Sequence, residues 1–121
     1  RVRSSAASDV YKRQVRYAGA SGDFNPIHID EEFAKSVGLP GRILHGLWTM
    51  AQVARAHTEA AGGPEHLKRL SVQFRGMGVI GEEIVVSGTV DSVEGGVAVA
   101  HTEAEQAGNR IIRNAEAELR V

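Results

Sequence analysis

Apolar residues repeat with a helical spacing in one segment of the chain and with a strand spacing in the segment that follows it. Between Gly46 and Ala61, apolar residues cover most of the helix circumference over the first turns: Leu47, Trp48, Met50, Ala51, Val53 and Ala54. A helix that is apolar nearly all round is buried in a core. The later polar residues Arg55, His57, Thr58 and Glu59 predict an end that emerges into solvent, and Gly62-Gly63-Pro64 ends the helix.

After Pro64 the apolar spacing changes to two residues, which predicts strands. The alternating positions are Leu70, Val72 and Phe74, then Ile84, Val86 and Val90, then Val97 and Val99, and finally Ile111, Ala115, Ala117, Leu119 and Val121. Turns at Glu94-Gly95-Gly96 and Gly108-Asn109 indicate antiparallel pairing. The pattern therefore predicts an α+β domain in which an antiparallel sheet of at least four strands packs on a buried helix.

A shorter helix is predicted upstream of the long one. Asp30 is suited to be its N-cap, and Glu31 and Glu32 favour its first turn. Its apolar stripe is Phe33, Ala34 and Val37, and Gly38-Leu39-Pro40-Gly41 ends it.

The first fourteen residues, RVRSSAASDVYKRQ, show no helical or strand period and resemble a translated cloning or sequencing adapter. We expect residues 1–14 to be a non-native or disordered tail, and residues 15–121 to form a single domain. A chain of this length has one core and little surplus to bury.

The composition limits the classes of binding partner and the cell locations that are expected for this chain. The formal net charge of -1 gives no basic excess to attract nucleic acid or anionic lipid, so neither partner is expected. The chain has no cysteine, which excludes disulfides and thiolate chemistry. No apolar run reaches the roughly 18 residues that a membrane span needs, and no secretory leader is visible. A cytoplasmic location is the expectation.

Chemistry is concentrated in the segment Ser21-Gly22-Asp23-Phe24-Asn25-Pro26-Ile27-His28. Because Pro26 excludes a continuous helix, Asp23 and His28 stand at the two ends of a rigid turn. An acid/base pair needs such an arrangement, with one group to accept a proton and one to donate it. Asn25 is suited to hold the turn or to orient a catalytic group.

The residues alone leave other interpretations open. Asp23 is equally suited to forming the turn and His28 to being a satisfied buried polar group. A metal site would need a further ligand, because only one carboxylate and one imidazole are gathered and no third ligand is obvious nearby.

A resemblance over a longer stretch of the sequence bears on the roles of Asp23 and His28. The run from Tyr17 to Asp30, with Ile43-Leu44-His45-Gly46-Leu47 and the strand from Val72 to Phe74, resembles the MaoC-like hydratases and dehydratases. Among them it is similar to (R)-specific enoyl-CoA hydratases and 3-hydroxyacyl-ACP dehydratases. The resemblance covers most of the chain after Val15 and implies a hot-dog fold, in which an antiparallel sheet wraps a long central helix.

The resemblance implies that Asp23 and His28 are a catalytic dyad acting on a CoA or ACP thioester. Asp23 would activate a water that attacks C3 of a trans-2-enoyl thioester, and His28 would assist with the proton delivered at C2. It also implies that Gly46 binds the thioester oxygen through its backbone N–H, at the start of a helix where such groups are unpaired. No cofactor and no metal are expected, and the partner expected is a second hot-dog subunit, in a homodimer or a heterodimer.

Other residues near the site receive lesser roles. Leu47, Trp48 and Met50 are suited to line an acyl pocket, although helical spacing favours a core position. His45 is expected to position the site rather than to catalyse. His57, His66 and His101 stand among polar neighbours, so each is interpreted as a surface residue.

Two departures from the family pattern qualify these expectations. The segment before the motif is short, which suggests that the domain lacks its first strand. Met77 stands where the family commonly has a proline, and Gly81-Glu82 replaces a Gly-Asp turn, so acyl length is less predictable. A hot-dog thioesterase, or an acyl-binding subunit of a heterodimeric dehydratase, stays open as an alternative.

Overall fold

The strands of the second half of the chain form one antiparallel sheet that packs on the long helix. The computed structural model describes residues 2–3 and 7–121, and side chains are described from Gln14 onward. The helices are α1 (Ala7–Ser21), α2 (Glu31–Ser36) and α3 (Gly46–Ala61), with 3-10 turns at Pro26–His28 and Pro64–His66. The strands are β1 (Val2–Arg3), β2 (Leu67–Phe74), β3 (Ile84–Glu94), β4 (Val97–Gln106) and β5 (Asn109–Arg120).

The sheet has the order β1-β3-β4-β5-β2, and every neighbouring pair is antiparallel. Strands β3 and β4 are joined through Gly95 and Gly96, both with positive φ, which is the backbone of a tight hairpin turn. Strands β4 and β5 are joined through Ala107 and Gly108, also at positive φ, one position earlier than the sequence predicted. Helix α3 contacts β2, β3, β4 and β5, so the predicted arrangement of helix and sheet is confirmed.

Helix α3 has the predicted bounds, but its two ends differ from the prediction. Trp48 and Val53 are buried in the core, whereas Leu47 is 64% exposed. His57 is buried, at 6% exposed, and its Nε2 lies 3.0 Å from the Thr102 hydroxyl of β4. The prediction that His57 is a surface residue was wrong, because the sheet extends over the last turns of the helix.

The buried face of β4 is the opposite of the predicted one. Ala98 and Ala100 are buried, whereas Val97 and Val99 are only partly covered. Small side chains toward α3 permit a close approach of the helix to the sheet, and this requirement overrides the larger apolar area of valine. On β5, the predicted parity is confirmed at Ile111, Ala115, Ala117 and Leu119, which are all buried, while Val121 is exposed.

Helix α2 begins as predicted. The Phe33 backbone N–H donates to the Asp30 carboxylate at 3.1 Å, which makes Asp30 the N-cap. Of the predicted stripe only Ala34 is buried, and Phe33 and Val37 are exposed. Helix α2 therefore anchors the segment after His28 through one small residue.

The stretch predicted to be a tail contains part of α1, which runs from Ala7 to Ser21. Gln14 is fully buried, and its side chain binds the Ile43 carbonyl and the His45 backbone N–H. The structure thus differs from the expectation that the fold starts at Val15. Residues 1 and 4–6 of the predicted tail lie outside the described residues. A non-native origin of residues 1–14 stays a prediction.

Candidate active site

The segment between α1 and the 3-10 turn folds into two successive hydrogen-bonded turns. Gly22 has φ of +76°, which ends α1 in the left-handed conformation that favours glycine. The Asp23 carboxylate accepts the Asn25 backbone N–H at 3.3 Å, and the Asn25 side chain accepts the Ile27 N–H at 3.2 Å. Pro26 then starts the 3-10 turn that ends at His28. The backbone therefore folds back so that Asp23 and His28 face each other.

Asn25, predicted to hold the turn or to orient a catalytic group, is an exposed residue whose side chain caps the turn. Of the two roles open for it, the geometry fits that of holding the turn.

The His28 ring is fixed by a bond to the backbone. Its Nδ1 lies 2.9 Å from the Ile43 carbonyl oxygen, and its Nε2 lies 3.6 Å from Asp23 Oδ2. A carbonyl oxygen can only accept, so Nδ1 carries a hydrogen and Nε2 is the atom left for chemistry. The residue is buried, whereas 49% of the Asp23 side chain is exposed. A gap of 3.6 Å is longer than a direct hydrogen bond and suits a shared third group.

His45 is the third polar side chain of this cluster. The His45 ring stacks on the ring of His28 with 3.9 Å between centroids, and the Tyr17 ring lies against the His45 ring in an edge-to-face arrangement with 4.9 Å between centroids. The Nε2 of His45 lies 3.1 Å from the Asp23 carbonyl oxygen. The sequence placed His45 beside the site through Gly46, but its contact with His28 depends on the tertiary fold.

Gly46 is the first residue of α3 and is exposed. The N–H of a first helical residue has no partner within the helix, so it is available to an oxygen atom of a ligand. A side chain at this position would meet the Phe74 ring at 3.4 Å. Glycine thus keeps a narrow approach open between the helix start and the end of β2.

Two cavities meet at Gly46 and Phe74. One, of about 200 Å³, is lined by His28, Gly46 and Phe74 together with Leu44, Met77 and Ile111. The other, of about 330 Å³, is lined by Asp23, His45, Gly46 and Phe74 together with Tyr17 and Leu47. Leu47 therefore lies at a cavity rather than in the core. Trp48 lies in the core.

Phe74 was expected only as a strand residue. It is half exposed at the end of β2 and lines both cavities. An aromatic residue at a strand end carries no sequence signal for such a role, because alternation alone assigns it to the core.

A metal ion does not fit the arrangement of these side chains. Asp23, His28 and His45 offer ligand atoms within 4.8 Å of one another, so the structure supplies the third ligand that the sequence did not show. A metal lies near the plane of each imidazole that binds it. The two rings are stacked at an angle of 22°, so one ion cannot lie in both planes at bonding distance unless a ring rotates.

A larger cavity, of about 470 Å³, lies along the sheet beside His101. His101 is exposed and pairs with Asp91 and with Glu116, so its ring nitrogens are both occupied. Size alone therefore does not identify the site. The cluster of Asp23, His28 and His45 at a helix start is the candidate site.

Known proteins are similar to this chain in sequence and in fold. Fatty acid synthase beta subunit pigK of Monascus ruber is 33% identical over 106 residues, which cover 85% of this chain and 5% of that protein. The peroxisomal enoyl-CoA hydratase 2 of Arabidopsis thaliana is 45% identical over 56 residues, which cover 45% of this chain and 18% of that protein. The chain thus spans only a small part of the relatives it matches.

The solved structure of R-hydratase PhaJ1 from Pseudomonas aeruginosa has the same fold, with a TM-score of 0.84, 24% identity and coverage of 99% of this chain and 77% of that one. The prediction of a hot-dog fold is thereby confirmed. None of the described helices is long and apolar enough to cross a membrane. The family model described as the MaoC like domain matches residues 6–114. This chain belongs to the MaoC-like domain family.

Proposed function

We propose that this chain is a hydro-lyase that adds water to a trans-2-enoyl thioester to give the (R)-3-hydroxyacyl thioester, or removes it in the reverse direction. The observation that carries the proposal is the pair formed by Asp23 Oδ2 and His28 Nε2 at 3.6 Å, beside the start of α3. The relatives support it, since one is named as an enoyl-CoA hydratase. The exposed carboxylate is open to a water, and the buried imidazole is held by Ile43.

The proposed reaction needs three proton transfers and a place for negative charge. The Asp23 carboxylate takes a proton from water as the water oxygen bonds to C3 of the enoyl group. The electron pair of the C2–C3 double bond then forms an enolate, whose oxygen accepts the Gly46 N–H. C2 takes a proton from Nε2 of the protonated His28, and the proton on Asp23 returns to His28. Dehydration follows the same steps in reverse.

The two cavities suit the two arms of a thioester. The cavity beside His28 is lined by Leu44, Met77 and Ile111, so it is suited to the acyl chain. The cavity beside Asp23 is lined partly by Tyr17 and Ser21 and would take the thiol arm of CoA or of an acyl carrier protein. Both arms would pass Gly46, where the thioester carbonyl belongs in this mechanism.

We also expect the domain to pair with a second hot-dog subunit, identical or related. Among the described residues, β2 is an edge strand that forms backbone hydrogen bonds with β5 on one side only. Phe74 and Met77, at and just after its end, are large exposed apolar residues next to the site. A free strand edge beside exposed apolar groups favours association. The expected cytoplasmic location stays a prediction.

The test is a hydratase assay of the full chain with crotonyl-CoA and longer enoyl-CoA substrates. The assay is repeated with the same enoyl groups attached to acyl carrier protein. The expected result is loss of the enoyl group and formation of the (R)-3-hydroxy product. Release of free thiol from acyl-CoA without hydration would favour a thioesterase instead. Activity only after addition of a companion hot-dog chain would show a heterodimeric enzyme, and the distribution over acyl lengths would identify the substrate class.

A further inference from the structure

His45 occupies an unusual position for a residue that starts a helix. It is the N-cap residue of α3, yet its side chain makes no capping bond to the helix. The residue is 2% exposed, and its ring is turned back toward the Asp23 turn. Since the side chain does not serve the helix start, its burial must serve another contact.

One contact is with the backbone of Asp23. The Nε2 of His45 lies 3.1 Å from the Asp23 carbonyl oxygen, so Nε2 is the donor and carries the hydrogen. The same Nε2 lies 3.9 Å from Asp23 Oδ2, which is too long for a hydrogen bond. His45 therefore holds the peptide of Asp23 and makes no hydrogen bond to its carboxylate. Within the described residues, the other ring nitrogen, Nδ1, has no hydrogen-bond partner.

The second contact is with the ring of His28. The two imidazoles stack at 3.9 Å between centroids, while Ile43 holds Nδ1 of His28 from the side. A flat ring against one face prevents rotation about the side-chain torsions that would swing Nε2 away from Asp23. His45 thus touches both members of the pair, one through a hydrogen bond and the other through ring packing.

We propose that His45 is a positioning residue that fixes the separation of Asp23 Oδ2 and His28 Nε2. The proposal rests on the proposed hydro-lyase function of that pair. His45 does not reach the reacting atoms in this scheme. It acts through the Asp23 peptide and the His28 ring, and a displacement of about 1 Å at such a pair can lower a rate by about 10²-fold.

Two substitutions separate the two contacts. His45→Gln keeps an amide N–H that reaches the place of Nε2 but removes the stacked ring. His45→Phe keeps a flat ring on His28 but removes the donor to Asp23. We expect kcat to fall about tenfold in each and about 10²-fold in His45→Ala, with KM changed less than about twofold.

Ring and amide NMR signals report each contact without substrate. The His28 ring signals should show a hydrogen on Nδ1 in the wild type and in His45→Phe, and should change in His45→Gln. The Phe24 amide shares its peptide with the Asp23 carbonyl, so its signal should change in His45→Phe and stay in His45→Gln. His57→Gln is the matched control, since His57 is a buried histidine on the same helix bonded to Thr102.

The proposal is supported if the two His45 variants stay folded, lose kcat and show these opposite NMR changes while His57→Gln shows neither. It is overturned if kcat stays within about twofold, if KM rises with kcat unchanged, or if His57→Gln loses kcat equally. A wild-type chain without hydratase activity would contradict the proposed function instead. The His28 and Phe24 signals would then still decide whether His45 positions the pair.

Discussion

The Nδ1 of His28 lies 2.9 Å from the carbonyl oxygen of Ile43, fifteen positions further along the chain. This bond joins the end of the 3-10 turn to the segment that leads into α3. It decides which ring nitrogen faces the cavity, because the nitrogen that donates to a carbonyl is no longer available as a base. The orientation of His28 is thus set by a backbone group, which cannot be lost by substitution of a side chain.

His28→Asn tests this arrangement directly. The asparagine amide can occupy the place of Nδ1 and keep the donation to Ile43, but it has no atom at the place of Nε2. We therefore expect a folded protein whose kcat falls by about 10²–10⁴-fold, the usual contribution of a general acid or base. Thermal unfolding and steady-state hydratase assays measure the two effects. A variant that retains more than about a tenth of the wild-type kcat would remove His28 from the mechanism.

Asp23→Asn removes the proposed base with little change to the turn. The side-chain oxygen of asparagine can still accept the Asn25 N–H, as Asp23 Oδ1 does at 3.3 Å. Stability should stay within about 0.5 kcal/mol, since the position is largely exposed. The kcat should fall by about 10²–10⁴-fold. Parallel urea unfolding separates loss of the carboxylate from loss of the fold, and unchanged turnover would contradict the assignment of Asp23.

The elements that the sequence predicted correctly have local signals. Helix α3 ends at Ala61 and is capped by Gly62, whose φ of +96° is the left-handed conformation of a C-cap, and Gly63-Pro64 follows. The turn between Asp23 and His28 is likewise determined by Asn25 and Pro26 within a few residues. Such features depend on neighbours in the chain, so they can be read without knowledge of the fold.

The missed features depend on contacts between distant segments. His57 is hydrogen-bonded to Thr102, 45 positions away, and the residues near His57 in the chain do not predict this partner. The stack of His45 on His28 likewise requires the start of α3 to lie against the 3-10 turn. On β4, alanine rather than valine faces the helix, because the narrow space between the helix and the sheet admits only the smaller side chain. Alternation predicts a strand but not which face is buried.

Gly46 allows the backbone donor to be separated from the free space beside it. Gly46→Ala keeps the N–H and adds a Cβ at 3.4 Å from the Phe74 ring, which is half exposed and can move. Gly46→Pro removes the N–H, and proline is well suited to the first position of a helix. His45 precedes it with φ of -63° and ψ of 132°, which is compatible with a following proline.

We expect Gly46→Ala to be as stable as the wild type or more stable, by about 0.4–1 kcal/mol. The kcat/KM of Gly46→Ala should fall only modestly. The kcat of Gly46→Pro should be about 10²–10³-fold lower than that of Gly46→Ala, which is the usual effect of removing one oxyanion donor. Equal activity of the alanine and proline variants would show that the N–H has no catalytic part and that Gly46 serves only to leave space.

The buried His57 predicts a pH dependence of stability that is separate from catalysis. Burial lowers the pKa of His57 below its ordinary value of 6.5. Well above pH 6.5 the ring is neutral in both the folded and the unfolded chain, so it contributes no pH dependence there. As the pH falls below 6.5, the unfolded chain takes up a proton at His57 that the folded chain still excludes, and folding is destabilised.

His57→Gln, which keeps an amide within reach of the Thr102 hydroxyl, removes this titration. Urea unfolding at pH 7.5 and pH 5.5 should therefore show a smaller loss of unfolding free energy for His57→Gln than for the wild type. Equal losses in the two proteins would place the acid sensitivity on other groups.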